Sequence, residues 1–529
     1  MFTTARSTAR VRAADVPSRR LTGLALLLGC LAGLLAVQAP AAAARVRAVA
    51  ELPTDLEKIR AGESTALYGS PELRALEQRK SAVVSIGDSQ VSGEGVGNYE
   101  PGTDGPVNFC HRSVDAAVHQ ARFDTELRFN LACSGAESTH LVYRSGSKQF
   151  DELNQGDSLA IKARNTRIRL IWLMSGANDH GGLEFGPLAK DCAGRRLLLI
   201  GNCWPTYTDV MQQRINSSQA SLEKGIASVR QTMRDAGYGD GDYQFVLGSY
   251  PSPFSPDVED NPKFPGWDQG GCLIYLKDQA FGRNKVVPLF ERAVRQAAKN
   301  TGVRYLDTSR LLHGHEVCTD TPWARGLTFV GSQQSFHPNE AGHTAYGDCL
   351  TAFYANPGWS EATCVDPAST GTATLYRGLL DFRQLRNTKT SLCVDSEGYS
   401  TRVGYRLLAW NCTGGGNQGF WRDPATASLH IELNHDRCVG PAGPAVAPGA
   451  AAQLQECTGA ANQRWAVVEG LLRSTANPAV CLAPVAETPG AAVQLAACNP
   501  ADPGQSWSFE PQTGGVGFGH SDWIPTSAY

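Results

Sequence analysis

Val83-Val84-Ser85-Ile86-Gly87-Asp88-Ser89-Gln90-Val91-Ser92-Gly93-Glu94-Gly95 is the stretch that decides the fold. Four mostly apolar, partly β-branched residues read as the end of a buried strand. Gly87 permits a sharp turn, and Ser89 stands where strand gives way to loop. The small residues that follow leave room for a substrate to approach the backbone. A serine at the carboxyl end of a strand is placed to act as a nucleophile. A Gly-Asp-Ser turn after an apolar run is commonplace by itself, so a base and oxyanion donors must come from elsewhere in the chain.

Residues 1–44 read as a secretory leader. Arg10, Arg12, Arg19 and Arg20 precede an apolar segment from Leu21 to Val37. Ala39-Pro40-Ala41-Ala42-Ala43-Ala44 then offers the small residues that signal peptidase needs. No other segment approaches the roughly 18 uninterrupted apolar residues of a membrane span. The expectation is a secreted, extracellular protein with no integral membrane segment. There are 15 Cys, and Cys30 leaves with the leader. An even remainder in an oxidising compartment implies disulfides. No Cys pair has the two-residue spacing of metal knuckles, so neither metal nor cofactor is expected. The net charge is −3 with both signs mixed, which argues against nucleic acid as a partner. The chain is too long for one compact core and should hold at least two domains, as a monomer.

Residues 45–80 are helix-prone and read as a leader helix or two. From 81 to 364 strand-like runs (Val83 to Ile86, Ile168 to Met174, Tyr243 to Leu247, Val303 to Leu306) alternate with helical stretches, notably Asp209 to Ala236 and Asn284 to Thr301. That alternation argues for an α/β domain with a parallel sheet and helices on both faces. Residues 365–374 shift to Ser, Thr, Ala, Gly and Pro and read as a linker. Residues 511–529 read as a loose tail.

Residues 375–510 repeat themselves. Leu392-Cys393-Val394-Asp395 leads to Trp410-Asn411-Cys412 and Gln418-Gly419-Phe420-Trp421. Arg437-Cys438-Val439-Gly440 leads to Gln455-Glu456-Cys457 and Gln463-Arg464-Trp465. Val480-Cys481-Leu482-Ala483 leads to Ala497-Cys498 and Gln505-Ser506-Trp507. Three copies at one period imply a threefold all-β unit. Each copy carries its own cysteine pair, so Cys393–Cys412, Cys438–Cys457 and Cys481–Cys498 are expected. The region is similar to ricin-type β-trefoil lectins, with Gln-x-Trp in the second and third copies. The first departs, with Gln418 and Trp421 separated by two residues.

Three stretches complete the chemistry begun at Ser89. Ala132-Cys133-Ser134-Gly135-Ala136 offers a glycine N–H. Ser175-Gly176-Ala177-Asn178-Asp179 puts the Asn178 amide at another strand end. Phe336-His337-Pro338-Asn339 places a histidine just before a helix. Acyl transfer needs a nucleophile, a base and donors aimed at the developing oxyanion. Ser89, His337, Gly135 and Asn178 would supply them. In this order the four blocks resemble the SGNH (GDSL-type) hydrolases, of the secreted bacterial lipase and esterase branch. The resemblance implies a flavodoxin-like three-layer fold and carboxylic ester hydrolysis.

One position departs from that family: Gln334 stands where an aspartate usually completes a triad. Three alternatives follow. A backbone carbonyl near Gln334, with that of Gln334 itself favoured, orients His337 as in the family's Ser–His dyads, or a distant acid such as Asp348 does so, or activity is low. Cys110–Cys133 would tie the nucleophile loop to the Gly135 loop. Cys192–Cys203 would close an insertion from Leu183 to Pro205 that could border the acyl pocket. Cys272–Cys318 and Cys349–Cys364 remain by elimination. His313 and His315 are expected to be solvated loop residues.

Sugar binding in such trefoils needs an aspartate, an aromatic face and an amide. Only the first copy has the set, as Asp395, Trp410, Asn417 and Gln418. The reading is therefore a serine ester hydrolase of lipid or phospholipid acyl esters, brought to glycans by a lectin module. The alternatives are an acetyl esterase acting on polysaccharides, or a lectin whose hydrolase-like domain is inactive.

Overall fold

Seven strands build the first sheet: β1 (Ser81–Gly87), β2 (Leu127–Asn130), β3 (Arg167–Met174), β4 (Gln244–Gly248), β5 (Arg304–Asp307), β6 (Glu361–Val365) and β7 (Thr374–Arg377). They come from a computed structural model that describes residues 48–256, 272–328, 331–368 and 370–512. The spatial order is β2-β1-β3-β4-β5-β6-β7. The first six run parallel, and β7 is antiparallel to β6. Ala82 to Gly87 of β1 are all buried, as a central strand covered on both faces requires. Helices α1 (Thr54–Tyr68), α2 (Ser89–Ser92), α3 (Gln155–Asn165), α4 (Phe185–Leu197), α5 (Met211–Asp235), α6 (Val287–Thr301) and α7 (Glu340–Tyr354) complete a three-layer α/β domain. The order 2-1-3 reverses direction between β1 and β3, and ligands in such sheets bind at that crevice.

The expected leader over 1–44 lies outside the described residues, as does all of the expected tail beyond Gln512. Among the described residues, no helix is long and apolar enough to cross a membrane. Within 365–374, which suggests a linker, the described residues instead fold onto Asp366. Asp366 accepts from the N–H groups of Ala368, Gly371 and Thr372, at 3.3, 2.6 and 3.2 Å. The chain thereby folds back, and β7 extends the first sheet to Arg377. Strands β2 and β7 are hard to read in sequence because each is only four residues long and partly exposed.

Beyond β7 the chain is all β, with strands from Arg383 to Pro511 joined in one continuous sheet. Pro511 pairs with Arg383, so the fold closes at the very residue where the composition suggests that a tail begins. The repeat is visible in the hydrogen bonds. Gln418, Gln463 and Gln505 each donate to a backbone carbonyl (Asn411, Glu456, Ala497) and accept a backbone N–H (Thr413, Thr458, Asn499). The indoles of Trp465 and Trp507 donate to the carbonyls of Val439 and Leu482, both at 2.9 Å. Phe420 joins them in the core. The first copy is thus in register as Gln418-x-Phe420, a phenyl ring filling the slot that indoles fill elsewhere. Trp421 instead turns outward onto Tyr376, edge to face at 5.1 Å.

All seven disulfides join the cysteines that the sequence pairs. His313 and His315 are buried, contrary to the expectation of solvated loops. His315 meets Asp366 at 3.0 Å and stacks on Trp323. His313 lies against His435 of the trefoil, with Nδ1 to Nδ1 at 3.0 Å. His435 Nε2 donates to the Asp366 carbonyl at 3.2 Å, so its Nδ1 accepts and His313 donates. Burial holds both histidines well below the ordinary imidazole pKa and keeps this contact between the two domains neutral.

Candidate active site

β1 ends on Gly87, whose φ of 128° lies where side chains are strained. A Cβ there would stand 1.8 Å from the Met174 carbonyl oxygen at the end of β3. Gln155 clamps the same residue, accepting its N–H at 2.6 Å and donating to its carbonyl at 2.7 Å. The turn delivers Ser89 to the first position of α2. Asp88 caps that helix, accepting the Gln90 N–H at 3.1 Å. Its other oxygen takes the Tyr250 hydroxyl at 2.6 Å. Burial pushes the Asp88 carboxyl up to about 7.

Ser89 Oγ lies 2.7 Å from His337 Nε2. On the far side of the ring, Nδ1 lies 3.1 Å from the Ser335 carbonyl and donates to it. The orienting carbonyl is therefore one residue beyond the expected one. The Gln334 carbonyl accepts the His337 backbone N–H instead, at 3.3 Å. Phe336, with φ of 66°, makes the bend that turns the ring back over Ser335. Asp348 is engaged elsewhere, in a partly exposed pair with Arg122 at 3.0 Å. Burial lowers the His337 pKa below the ordinary value, and the Glu94 carboxylate pulls against that shift.

Glu94, which the sequence does not single out, lies in the loop that meets the histidine loop. It is fully buried and holds His111 at 2.7 Å, while Tyr99 stacks on the His111 ring at 4.4 Å. Gln334 donates to the Tyr99 hydroxyl at 3.0 Å. Gly95 brings this loop against the histidine loop, since a Cβ there would meet the Pro338 and His337 carbonyls at 2.3 and 2.8 Å. The flanking Gly-Glu-Gly is legible as a tight loop, but nothing local marks its contact about 240 residues away.

Gly135 follows β2, and Asn178 follows β3. Asn178 donates only at long range, 3.3 Å to the Ala136 carbonyl and 3.5 Å to Asp88. Among the described residues, the Gly135 N–H has no backbone partner. Ser89, Gly135, Asn178 and His337 all line one cavity of about 360 Å³. Its walls are largely apolar: Leu183, Phe185, Leu188, Phe281, Val286, Phe290 and Leu327. Helix α4, inside the insertion from Leu183 to Pro205, forms one wall. The set can take a proton from a serine and offer donors to an oxyanion.

In the trefoil, Asp395 accepts from Asn417 at 2.9 Å and from Gln418 at 2.6 Å. Burial pushes its carboxyl up to about 7. Trp410, on the adjacent strand, is 42% exposed. Gln418 is fully buried, so it braces Asp395 and the surrounding loop and offers no open face to a ligand.

Residues 85–345 match the family described as GDSL-like lipase/acylhydrolase. Residues 381–467 and 425–522 match the ricin-type β-trefoil lectin domain. A lipase of Streptomyces rimosus is 24% identical over 285 residues, covering 53% of this chain and 87% of the relative. The crystal structure of a phospholipase A1 from Streptomyces albidoflavus aligns with 53% of this chain and 99% of its own, at 20% identity and a TM-score of 0.36. The C-terminal half of an earthworm R-type lectin aligns with 25% of this chain and 98% of its own, at 16% identity and a TM-score of 0.22.

Proposed function

The chain is an SGNH (GDSL-type) carboxylic ester hydrolase with a C-terminal ricin-type trefoil domain, and we propose that it cleaves lipid acyl esters through an acyl-enzyme on Ser89. The observation that carries the proposal is the 2.7 Å contact between Ser89 Oγ and His337 Nε2 at an apolar-walled cavity. His337 Nε2 takes the serine proton as Oγ attacks the ester carbonyl carbon. The N–H groups of Ser89 and Gly135 and the Asn178 amide receive the oxyanion. The proton passes to the departing alkoxide, and water repeats the sequence on the acyl-enzyme. The Ser335 carbonyl holds the tautomer whose Nε2 is the acceptor. The apolar walls favour an acyl chain over an acetyl group, and the similarity to a protein named as a lipase points the same way.

Hydrolysis of p-nitrophenyl esters of graded chain length tests this reading. Medium or long chains should give the highest kcat/KM. A maximum at acetate with steep decline thereafter would overturn the lipid assignment. Seven disulfides support an exported enzyme, since such bonds persist in oxidising compartments.

The same proposal gives the trefoil a glycan-tethering role through Asp395 and Trp410. Sugar hydroxyls donate to the ionised carboxylate, so binding requires Asp395 to be deprotonated. Its raised pKa means that protonation begins as pH falls through about 7. Glycan-array binding should be full at pH 8 and weaken by up to about tenfold per unit below 7. Asp395→Ala should lose it while turnover of a soluble ester is unchanged. Binding that is flat from pH 8 to 5 would remove Asp395 from the role.

A further inference from the structure

Helix α4 ends in four consecutive large apolar residues that stand in solvent. Leu197, Leu198, Leu199 and Ile200 are 47, 68, 72 and 63% exposed. The termination itself is unusual. Ile200 N–H donates to the Arg195 carbonyl at 3.0 Å and Leu199 N–H to the Arg196 carbonyl at 3.3 Å, the double hydrogen bond of a Schellman ending. The residue at its left-handed position is normally glycine, and here it is Leu199 with φ of 55°. The residue after it normally packs on an apolar side chain one turn back, but Arg195 occupies that place and Ile200 stays exposed. Backbone strain and exposed aliphatic surface both oppose stability in water.

The position of this tip says what it meets. Phe185, Leu188, Ala189 and Ala193 of the same helix line the catalytic cavity. At 1.5 Å per residue, Leu198 lies only about 8 Å along the axis from Ala193. The disulfide between Cys192 and Cys203 fixes the tip to the cavity wall. The flanking charges are already engaged: Arg195 with Asp191 at 3.0 Å, and Arg196 over the Tyr275 ring at 4.9 Å. What remains is a small uncharged aliphatic knob beside an apolar cavity. A specific protein interface needs about 800 Å² from each partner, far more than four aliphatic side chains at one helix end present. Insertion into the outer part of an acyl-lipid surface needs only such a knob.

We propose that Leu197–Ile200 is an interfacial anchor that enters the surface of aggregated acyl lipid and sets the catalytic cavity against it. The inference rests on the reading of lipid esters as substrate. Because its charges are satisfied internally, the anchor binds zwitterionic surfaces and is insensitive to salt.

The test uses the full chain carrying Ser89→Ala, floated with phosphatidylcholine vesicles at low salt and at about 0.5 M salt, where surface charge is screened. The comparison is the same chain with Leu198→Ser and Leu199→Gly added. The glycine relieves the strained φ, so the variant should be at least as heat-stable as its parent. Vesicle partitioning should fall by at least about tenfold in the variant, at either salt concentration. With Ser89 restored, the two changes should reduce turnover of vesicular phosphatidylcholine about tenfold and leave turnover of a short soluble ester unchanged. Equal partitioning of parent and variant would overturn the anchor. So would a parent dimer, seen by light scattering, that the variant abolishes without change in partitioning. Partitioning that depends on the tip in a protein that hydrolyses only acetyl esters would sustain the anchor and remove the lipid-ester reading instead.

Discussion

Ser89→Ala is expected to lower kcat/KM by about 10⁴-fold or more on any ester the enzyme accepts, with no loss of thermal stability. The serine hydroxyl contacts His337 and is otherwise directed at the cavity, so its removal leaves the fold intact. Removing the nucleophile of a coupled pair eliminates the acyl-enzyme route, and the oxyanion donors alone sustain only residual rates. His337→Ala should cost nearly as much, and the double variant little more, because the two residues act as one unit. The pH profile carries the sign of the burial. His337 must be neutral to accept the proton, and burial lowers its pKa. The acid limb should therefore fall below pH 6.5, the ordinary imidazole value, when kcat/KM is followed on a soluble ester. A limb well above that value would show that a charge on His337 is stabilised more strongly than a Ser335 carbonyl allows. Turnover that survives in Ser89→Ala would exclude the serine mechanism altogether.

Gly87→Ala is expected to be the most destabilising single methyl in the first domain. The new Cβ would sit 1.8 Å from the Met174 carbonyl oxygen, well inside contact distance, on a backbone whose φ of 128° resists any side chain. Relief would have to separate β1 from β3, two interior strands of the sheet, and break the clamp from Gln155. A loss above about 4 kcal/mol follows, read as a fall in Tm of about 10 °C or more, or as failure to accumulate folded protein. Gly62→Ala is the control. It sits inside α1 with open space around it, and should stabilise by up to about 1 kcal/mol. A Gly87→Ala protein that melts with the parent would refute the close approach of the two strand ends.

Much of this is legible in local sequence. A parallel sheet needs continuous apolar runs, and Val83 to Ile86 and Ile168 to Met174 supply them. Glycine after each run marks the sharp turns, and those turns alone put Ser89 and Asn178 at strand ends. Threefold repetition of cysteine, glutamine and an aromatic residue specifies the second domain, because each copy repeats the same hydrogen bonds through Gln418, Gln463 and Gln505. The repeat also hides one detail. Trp421 is the conspicuous residue in the first copy, yet Phe420 is the one whose strand position points into the core.

Other features belong to tertiary structure alone, because they depend on contacts between residues far apart in the chain. The orienting carbonyl is that of Ser335, a choice made by the bend at Phe336 and invisible in residue type, since every residue has a carbonyl. The Glu94 loop reaches the His337 loop only because Gly95 leaves room for the Pro338 and His337 carbonyls across the fold. His313 and His315 look like solvated polar residues in sequence and become buried only when Asp366 and His435 arrive beside them. The apolar run from Leu197 to Ile200 lies in the insertion from Leu183 to Pro205, and in the sequence a buried and an exposed leucine look the same. Only the packing of α4 shows that its end stands exposed. Local patterns thus determined the elements and the residue types of the chemistry, and long-range contact decided which atoms face each other.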